Sequence, residues 1–305
     1  MPSYRDEVYR LVMGTLWSLW AELGLSGWER RHQDTVVDLE ALILATSLCG
    51  AWDPRLLEEG LDWCVANGRV ASAVRFKHLV VEADPATQHL FGRFAATVNA
   101  HTPLRWPSRG GPALPFTRTG RSAQPDLIRP ALIQLRLRAL WGVNARAEVL
   151  RVMLPEGGRF VGVAEVALAT AYGKDAVAEA LESLQRGGLL ARGGRANQYL
   201  YRLVSEPELT ALVGSQASRI VDWSHVLPVM VGMLEAADLP EMPLLARAIE
   251  LQRRYRTWQA PLARMGMTSW PQALGEEFPS DYEQWSLRAL RSWAGGANGE
   301  GLNGP

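Results

Sequence analysis

The sequence contains very little cysteine and lysine. Two cysteines occur among 305 residues, and neither forms a Cys-x-x-Cys pair or lies near a histidine cluster. Cys49 and Cys64 both fall in apolar stretches with helical periodicity, so we interpret them as small buried hydrophobic residues without a metal or disulfide role. Lysine occurs only at positions 77 and 174, and arginine therefore supplies nearly all the positive charge.

Long uninterrupted apolar runs are also missing. Glu22 interrupts the run 11–25, and no small-residue cleavage site follows it, so this segment does not fit a signal peptide. The longest apolar run elsewhere, 226–234, is too short to cross a bilayer. These features predict a cytoplasmic protein with no membrane partner.

The common catalytic signatures are absent. The chain has no GxGxxG, GxxxxGK[ST], HExxH or GxSxG motif, and its five histidines are scattered. Nucleotide-binding, zinc-protease and serine-hydrolase activities therefore lose their usual sequence support. We expect no enzymatic activity, no cofactor and no metal site.

Charge is balanced overall but unevenly distributed. The 32 basic and 32 acidic residues give a net charge of zero. Residues 101–151 contain 9 basic and 2 acidic residues, a net charge of +7, and residues 152–204 contain 6 and 5, a net +1. Residues 1–100 contain 9 and 13, and residues 205–305 contain 8 and 12, so each flank has a net charge of −4. Any electrostatic attraction to nucleic acid must be local.

The periodicity divides the chain into five parts and predicts a mainly α fold. Residues 1–100 are expected to form an all-α domain, with Asp-Pro pairs that begin helices at positions 53 and 84. Six prolines and five arginines in 101–130 predict an extended basic linker. Residues 131–204 form the next domain, 205–294 a C-terminal α-helical region, and 295–305 a glycine-rich disordered tail.

Residues 145–203 give the clearest local pattern. The spacing predicts helices over 146–154, over 163–170 and from Lys174 onward, with Val177, Leu181 and Leu184 on the buried side of the third. Gly187-Gly188 ends that helix, and 189–192 and 198–203 read as two strands joined by Gly193-Gly194. Three helices followed by a hairpin constitute a winged helix-turn-helix.

The segment 145–203 resembles the DNA-binding domain of bacterial winged-helix transcriptional regulators of the MarR, ArsR and PadR kind. The pattern VxxxLxxLxxxGLL, which begins at Val177, is similar to their recognition helix running into the wing. The similar region covers about one fifth of the chain. It implies a transcriptional regulator that binds duplex DNA, as a homodimer if it follows the usual two-fold geometry of such proteins.

The resemblance also implies DNA contacts, residue by residue. The start and outer face of the third helix would enter the major groove; these residues are Tyr172, Lys174, Asp175, Ala178 and Glu179. The wing would reach phosphates or the minor groove through Arg192, Arg195 and Asn197. Arg146, at the start of the first helix, would contact the DNA backbone.

The proposed reading helix is more acidic than a DNA reader usually is. It has one lysine against Asp175, Glu179 and Glu182, although phosphate neutralisation supplies much of the affinity for DNA. The alternative function is therefore protein binding. The helical flanks would then hold a partner, and the chain would be the antitoxin or adaptor of a two-component toxin–antitoxin or defence system.

A second helix-turn-helix is one interpretation of residues 61–81. A helix, a turn at Asn67-Gly68 and a further helix would present Arg75, Lys77 and His78. The other interpretation is an ordinary helical hairpin with one solvated side.

Overall fold

The structure, a computed structural model, describes residues 2–81, 83–156, 158–194, 199–214 and 219–295. The chain is mainly helical over these residues, with a small three-stranded antiparallel sheet, and the predicted mainly α class is confirmed. The helices of the first part are α1 (Tyr4–Glu22), α2 (Leu39–Leu48), α3 (Pro54–Asn67), α4 (Ala73–Val81) and α5 (Pro85–His101). Those of the middle are α6 (Ile133–Trp141), α7 (Ala145–Met153), α8 (Val163–Thr170), α9 (Lys174–Arg186) and α10 (Glu206–Val213). The last three are α11 (Trp223–Ala237), α12 (Leu244–Arg264) and α13 (Phe278–Ala294).

Side-chain caps define where many of these helices begin. Asp53 and Asp84 accept hydrogen bonds from the first-turn amides of α3 and α5, and each is followed by proline. Both starts agree with the sequence prediction. Ser3 and Asp6 form a reciprocal capping box at α1, which satisfies two amides that the helix itself cannot bond.

Helices from the two ends of the chain share one hydrophobic core. Trp20 and Trp63 of the N-terminal part and Trp223 and Trp285 of the C-terminal part are all fully buried in it. The helix α1 packs against both α11 and α13. We call helices α1–α5 and α11–α13 the helical body. The sequence pattern treated its two halves as separate regions, because helical periodicity marks a buried face without identifying what covers it.

The segment 102–129 crosses the surface of the helical body and is packed onto it. It contains no regular helix or strand, as its prolines predict, but Trp106 is buried against Phe76. The carboxylate of Asp62 accepts hydrogen bonds from the backbone amides of Thr119, Gly120 and Ser122. The segment, which the composition predicted to be an extended basic linker, is thus a strap held to the helical body by its own contacts.

Residues 133–213 form a second core, which we call the small lobe. It comprises α6 to α10 and the strands β1 (Val161–Gly162), β2 (Leu190–Gly193) and β3 (Leu200–Leu203). The strand order is β1-β3-β2, and both pairs are antiparallel. Arg192 pairs with Tyr201, and Leu190 pairs with Leu203, so the hairpin predicted around Gly193-Gly194 is present in the described residues.

None of the described helices combines the length and apolar character needed to cross a bilayer. The predicted disordered tail lies outside the described residues, except for Gly295.

Candidate functional site

The turn between α8 and α9 positions the start of the predicted reading helix. Ala171 ends α8 in the left-handed conformation, with φ of 53°, and Gly173 immediately precedes α9. Val177, Leu181 and Leu184 are buried on one side of α9, in agreement with the predicted spacing. The opposite side of α9 therefore faces solvent.

The outer side of α9 carries most of the residues that the resemblance selected. Lys174, Asp175 and Glu179 are exposed, and Ala178 is half-buried. Glu182 is exposed one turn further along. Lys174 makes no ion pair with any residue that the structure describes, so its ammonium group is available to a ligand.

Tyr172 does not project from the turn, and its prediction as a major-groove contact is wrong. Its side chain is 7% exposed, and its hydroxyl lies 2.7 Å from the hydroxyl of Ser72. Burial raises the pKa of this phenol, and the hydrogen bond with Ser72 partly offsets that increase. The physical reason for the burial is that the turn packs beneath the start of α4, so Tyr172 joins the small lobe to the helical body.

The hairpin presents two arginines beside aromatic rings. The guanidinium of Arg192 lies 4.5 Å from the ring centre of Tyr199, and that of Arg202 lies 5.3 Å from the ring centre of Phe160. Both arginines are exposed, and neither forms an ion pair with the described part of the chain. The sequence prediction found Arg192 but missed Arg202, which its outward position in the alternating strand 200–203 indicated.

Three further predicted positions have different outcomes. Arg146 is exposed in the first turn of α7, where Asn144 caps the helix and accepts from the Arg146 amide. Arg195 and Asn197 lie outside the described residues. Arg146 thus keeps the exposure that a contact with the DNA backbone requires.

A buried network of ion pairs lies directly under the α8–α9 turn. Arg75 of α4 donates to the Asp38 carboxylate at 2.6 and 2.8 Å and also to Glu40 and to the Thr170 carbonyl. Arg138 of α6 donates to Glu40 at 2.7 Å and to Glu148 at 2.6 Å. Arg75 therefore points inward, and the suggestion that it shares a solvated DNA-binding face with His78 is wrong.

Opposite charges balance within this network. Three carboxylates, Asp38, Glu40 and Glu148, meet the guanidinium groups of Arg75, Arg138 and Arg151. Burial alone would raise the pKa of Glu148, but the surrounding arginines outweigh it and hold that pKa at about 2. Burial opposes ionisation of Asp38 in the same way, and Arg75 keeps its pKa well below the usual range. Asp38 and Glu148 therefore stay charged at neutral pH.

A cleft of about 990 Å³ opens between the helical body and the small lobe. Its deep walls include the buried side chains of Leu44 and Val231. Its mouth includes the exposed side chains of His78 and Lys174. The start of α9 thus borders this cleft, a feature that no local sequence pattern indicated.

Cys49 and Cys64 are buried with free thiols, and burial raises the pKa of each thiol. No group of three His, Cys, Asp or Glu side chains suited to a metal ion occurs in the part of the chain that the structure describes.

Comparisons with known proteins give no relative from which a function could be transferred: no family model, curated protein or solved structure matches this chain.

Proposed function

We propose that this chain binds duplex DNA through the small lobe, used as a winged helix, and regulates transcription. The observation that carries the proposal is the exposed pair Arg192 and Arg202 on a hairpin that directly follows and packs against α9. Arginines without carboxylate partners beside aromatic rings suit contacts with phosphates and sugars. The element order helix, strand, helix, helix, hairpin and the strand order β1-β3-β2 support the same use.

Lys174 and Arg146 would extend the basic surface to the starts of α9 and α7. Both side chains are exposed. Readers of this kind commonly act as two-fold symmetric dimers on half-sites one helical turn apart, so two copies per duplex are expected. Analytical ultracentrifugation of the complex measures that stoichiometry.

The test is fluorescence anisotropy of a random-sequence duplex pool. DNA binding driven by phosphates weakens steeply with salt, and the slope falls by about one for each lost phosphate contact. We expect Arg192→Ala with Arg202→Ala to weaken binding about tenfold or more and to reduce the slope by about two. Arg288→Ala, an exposed arginine on α13, is the matched control and should have no effect. Binding that is unchanged by the hairpin variants would refute the proposal.

The acidic outer face of α9 favours a second candidate, the binding of a basic partner protein such as the toxin of a two-component system. Asp175, Glu179 and Glu182 are exposed and make no ion pair with the described residues. The double variant Glu179→Gln, Glu182→Gln separates the two candidates. It should strengthen DNA binding, because it removes repulsion of phosphates, whereas it should weaken the binding of a basic protein partner.

A further inference from the structure

The cleft between the helical body and the small lobe has an apolar interior. Leu44, Ala45 and Val231 line it and are at most 6% exposed. Leu79 of α4 and the half-buried ring of Trp258 add further apolar surface. The volume of about 990 Å³ is that of a small-molecule site, since such sites typically enclose about 300 to 1,000 Å³.

The mouth of the cleft holds charged groups of both signs, which differ in whether the protein itself already binds them. Of its lining carboxylates, Asp84 already accepts from the Ala86 and Thr87 amides at the start of α5, and Glu235 pairs with Arg254. Lys174 has no such partner among the described residues. Both carboxylates thus already accept hydrogen bonds within the protein, whereas no hydrogen bond or ion pair of the Lys174 ammonium is found among the described residues.

We propose that this cleft binds a small amphiphilic anion, with its apolar body between the leucine and tryptophan side chains and its anionic head group on Lys174. An anion is favoured over a cation because the Lys174 ammonium has no partner among the described residues, whereas the carboxylates of Asp84 and Glu235 already accept hydrogen bonds. Binding would also withdraw Lys174 from phosphates and so weaken attachment to DNA. That consequence, unlike the binding itself, rests on the proposed function.

Two related dyes test the binding step on the full chain. Anilinonaphthalene sulfonate and its uncharged analogue phenylnaphthylamine share the aromatic rings and differ in the sulfonate. We expect one molecule of the anionic dye per chain, and an affinity that falls about threefold to tenfold in Lys174→Gln, as expected for loss of one exposed charged contact. The control is Lys77→Gln. Lys77 is the only other lysine of the chain and does not line the cleft, so this substitution should leave the dye affinity unchanged.

The cleft itself is tested by adding bulk. Ala164 is an exposed lining residue of α8, and Ala169 is exposed on the same helix but does not line the cleft. Ala164→Phe should weaken both dyes, and Ala169→Phe should weaken neither. If Lys174→Gln leaves the anionic dye unaffected, or if the Ala164 and Ala169 variants behave alike, the proposed site is refuted.

The two lysines also give an internal footprint. Amine acetylation followed by mass spectrometry should show that the anionic dye protects Lys174 and not Lys77; equal protection of both would count against the site. If the chain binds no DNA but the cleft does bind the anionic dye, the two experiments give different results. The dye would still protect Lys174, while no duplex would bind and the hairpin arginine variants would change nothing.

Discussion

The hydroxyl groups of Ser72 and Tyr172 lie 2.7 Å apart, although 100 residues separate them in the chain. Ser72 precedes α4 of the helical body, and its backbone amide donates to Glu40. Tyr172 lies in the turn before α9 of the small lobe. This contact therefore links the turn before α9 to the buried ion pairs. It keeps the Tyr172 side chain buried in that turn.

The pair predicts a stability effect. Tyr172→Phe and Ser72→Ala each remove one partner of a buried hydrogen bond, which should lower the free energy of unfolding by about 1 to 3 kcal/mol. Urea unfolding of both single variants and the double variant measures the coupling. The double variant should lose less than the sum of the singles, because both remove the same bond. Strict additivity would contradict the contact.

The buried network predicts a larger effect at Arg75. Arg75→Met leaves the buried carboxylates of Asp38 and Glu40 without one of their partners, and a loss of about 3 to 5 kcal/mol in unfolding free energy is expected. The control is Arg10→Met, which removes an ion pair with Glu7 whose arginine is 58% exposed and should cost less than about 1 kcal/mol. Similar losses from the two substitutions, measured by urea unfolding, would contradict the network.

Because of His32, the free energy of unfolding should depend on pH between about 7 and 4. Its ring bonds to the Ser18 hydroxyl and the Trp293 carbonyl, and burial lowers its pKa from 6.5 to about 4. Below pH 6.5 the unfolded chain takes up the proton first, so stability falls as pH drops toward 4. Between pH 7 and 4.5 the expected loss is about 2 kcal/mol.

The variant His32→Gln should lack most of this dependence in urea titrations at those two pH values. Glu148 of the buried network does not obscure it, because the surrounding arginines hold its pKa at about 2 instead of 4.5. Its contribution is present above pH 4.5 and is lost as the pH falls from there toward 2. If wild type and His32→Gln show the same dependence from pH 7 to 4.5, a buried neutral His32 is excluded.

We expect Asp62 to protect the strap, residues 102–129, from proteolysis. Its carboxylate accepts three backbone amides and the Ser122 hydroxyl, so Asp62→Ala should release the nearby sites at Arg118 and Arg121. Cleavage at these exposed arginines follows the population of the open form, and a rise of about tenfold in trypsin cleavage is expected, since that corresponds to about 1.4 kcal/mol. Glu58→Ala, on the same helix, is the control. Equal cleavage of the two variants, mapped by mass spectrometry, would rule out this role.

Local signals predicted the helices and the hairpin well because their causes are local. A capping carboxylate such as Asp53, a buried stripe such as Val177 and Leu181, and the glycines at 193 and 194 act within a few residues of themselves. The same signals placed Lys174 and Glu179 on the outer side of α9. They could not identify Arg75 as a core residue, because its neighbours in sequence match those of a solvated helix.

By itself, the sequence determined where helices and strands begin and end, and which side of each is apolar. The tertiary structure alone decided what covers those sides. Three features depend on the tertiary structure. The two ends of the chain share one core, Arg138 pairs with Glu40 across 98 residues, and Tyr172 is buried. The physical reason is that hydrophobic periodicity indicates which face of an element is buried away from water. Charge pairing and hydrogen bonding depend on partners that only the folded chain brings within reach.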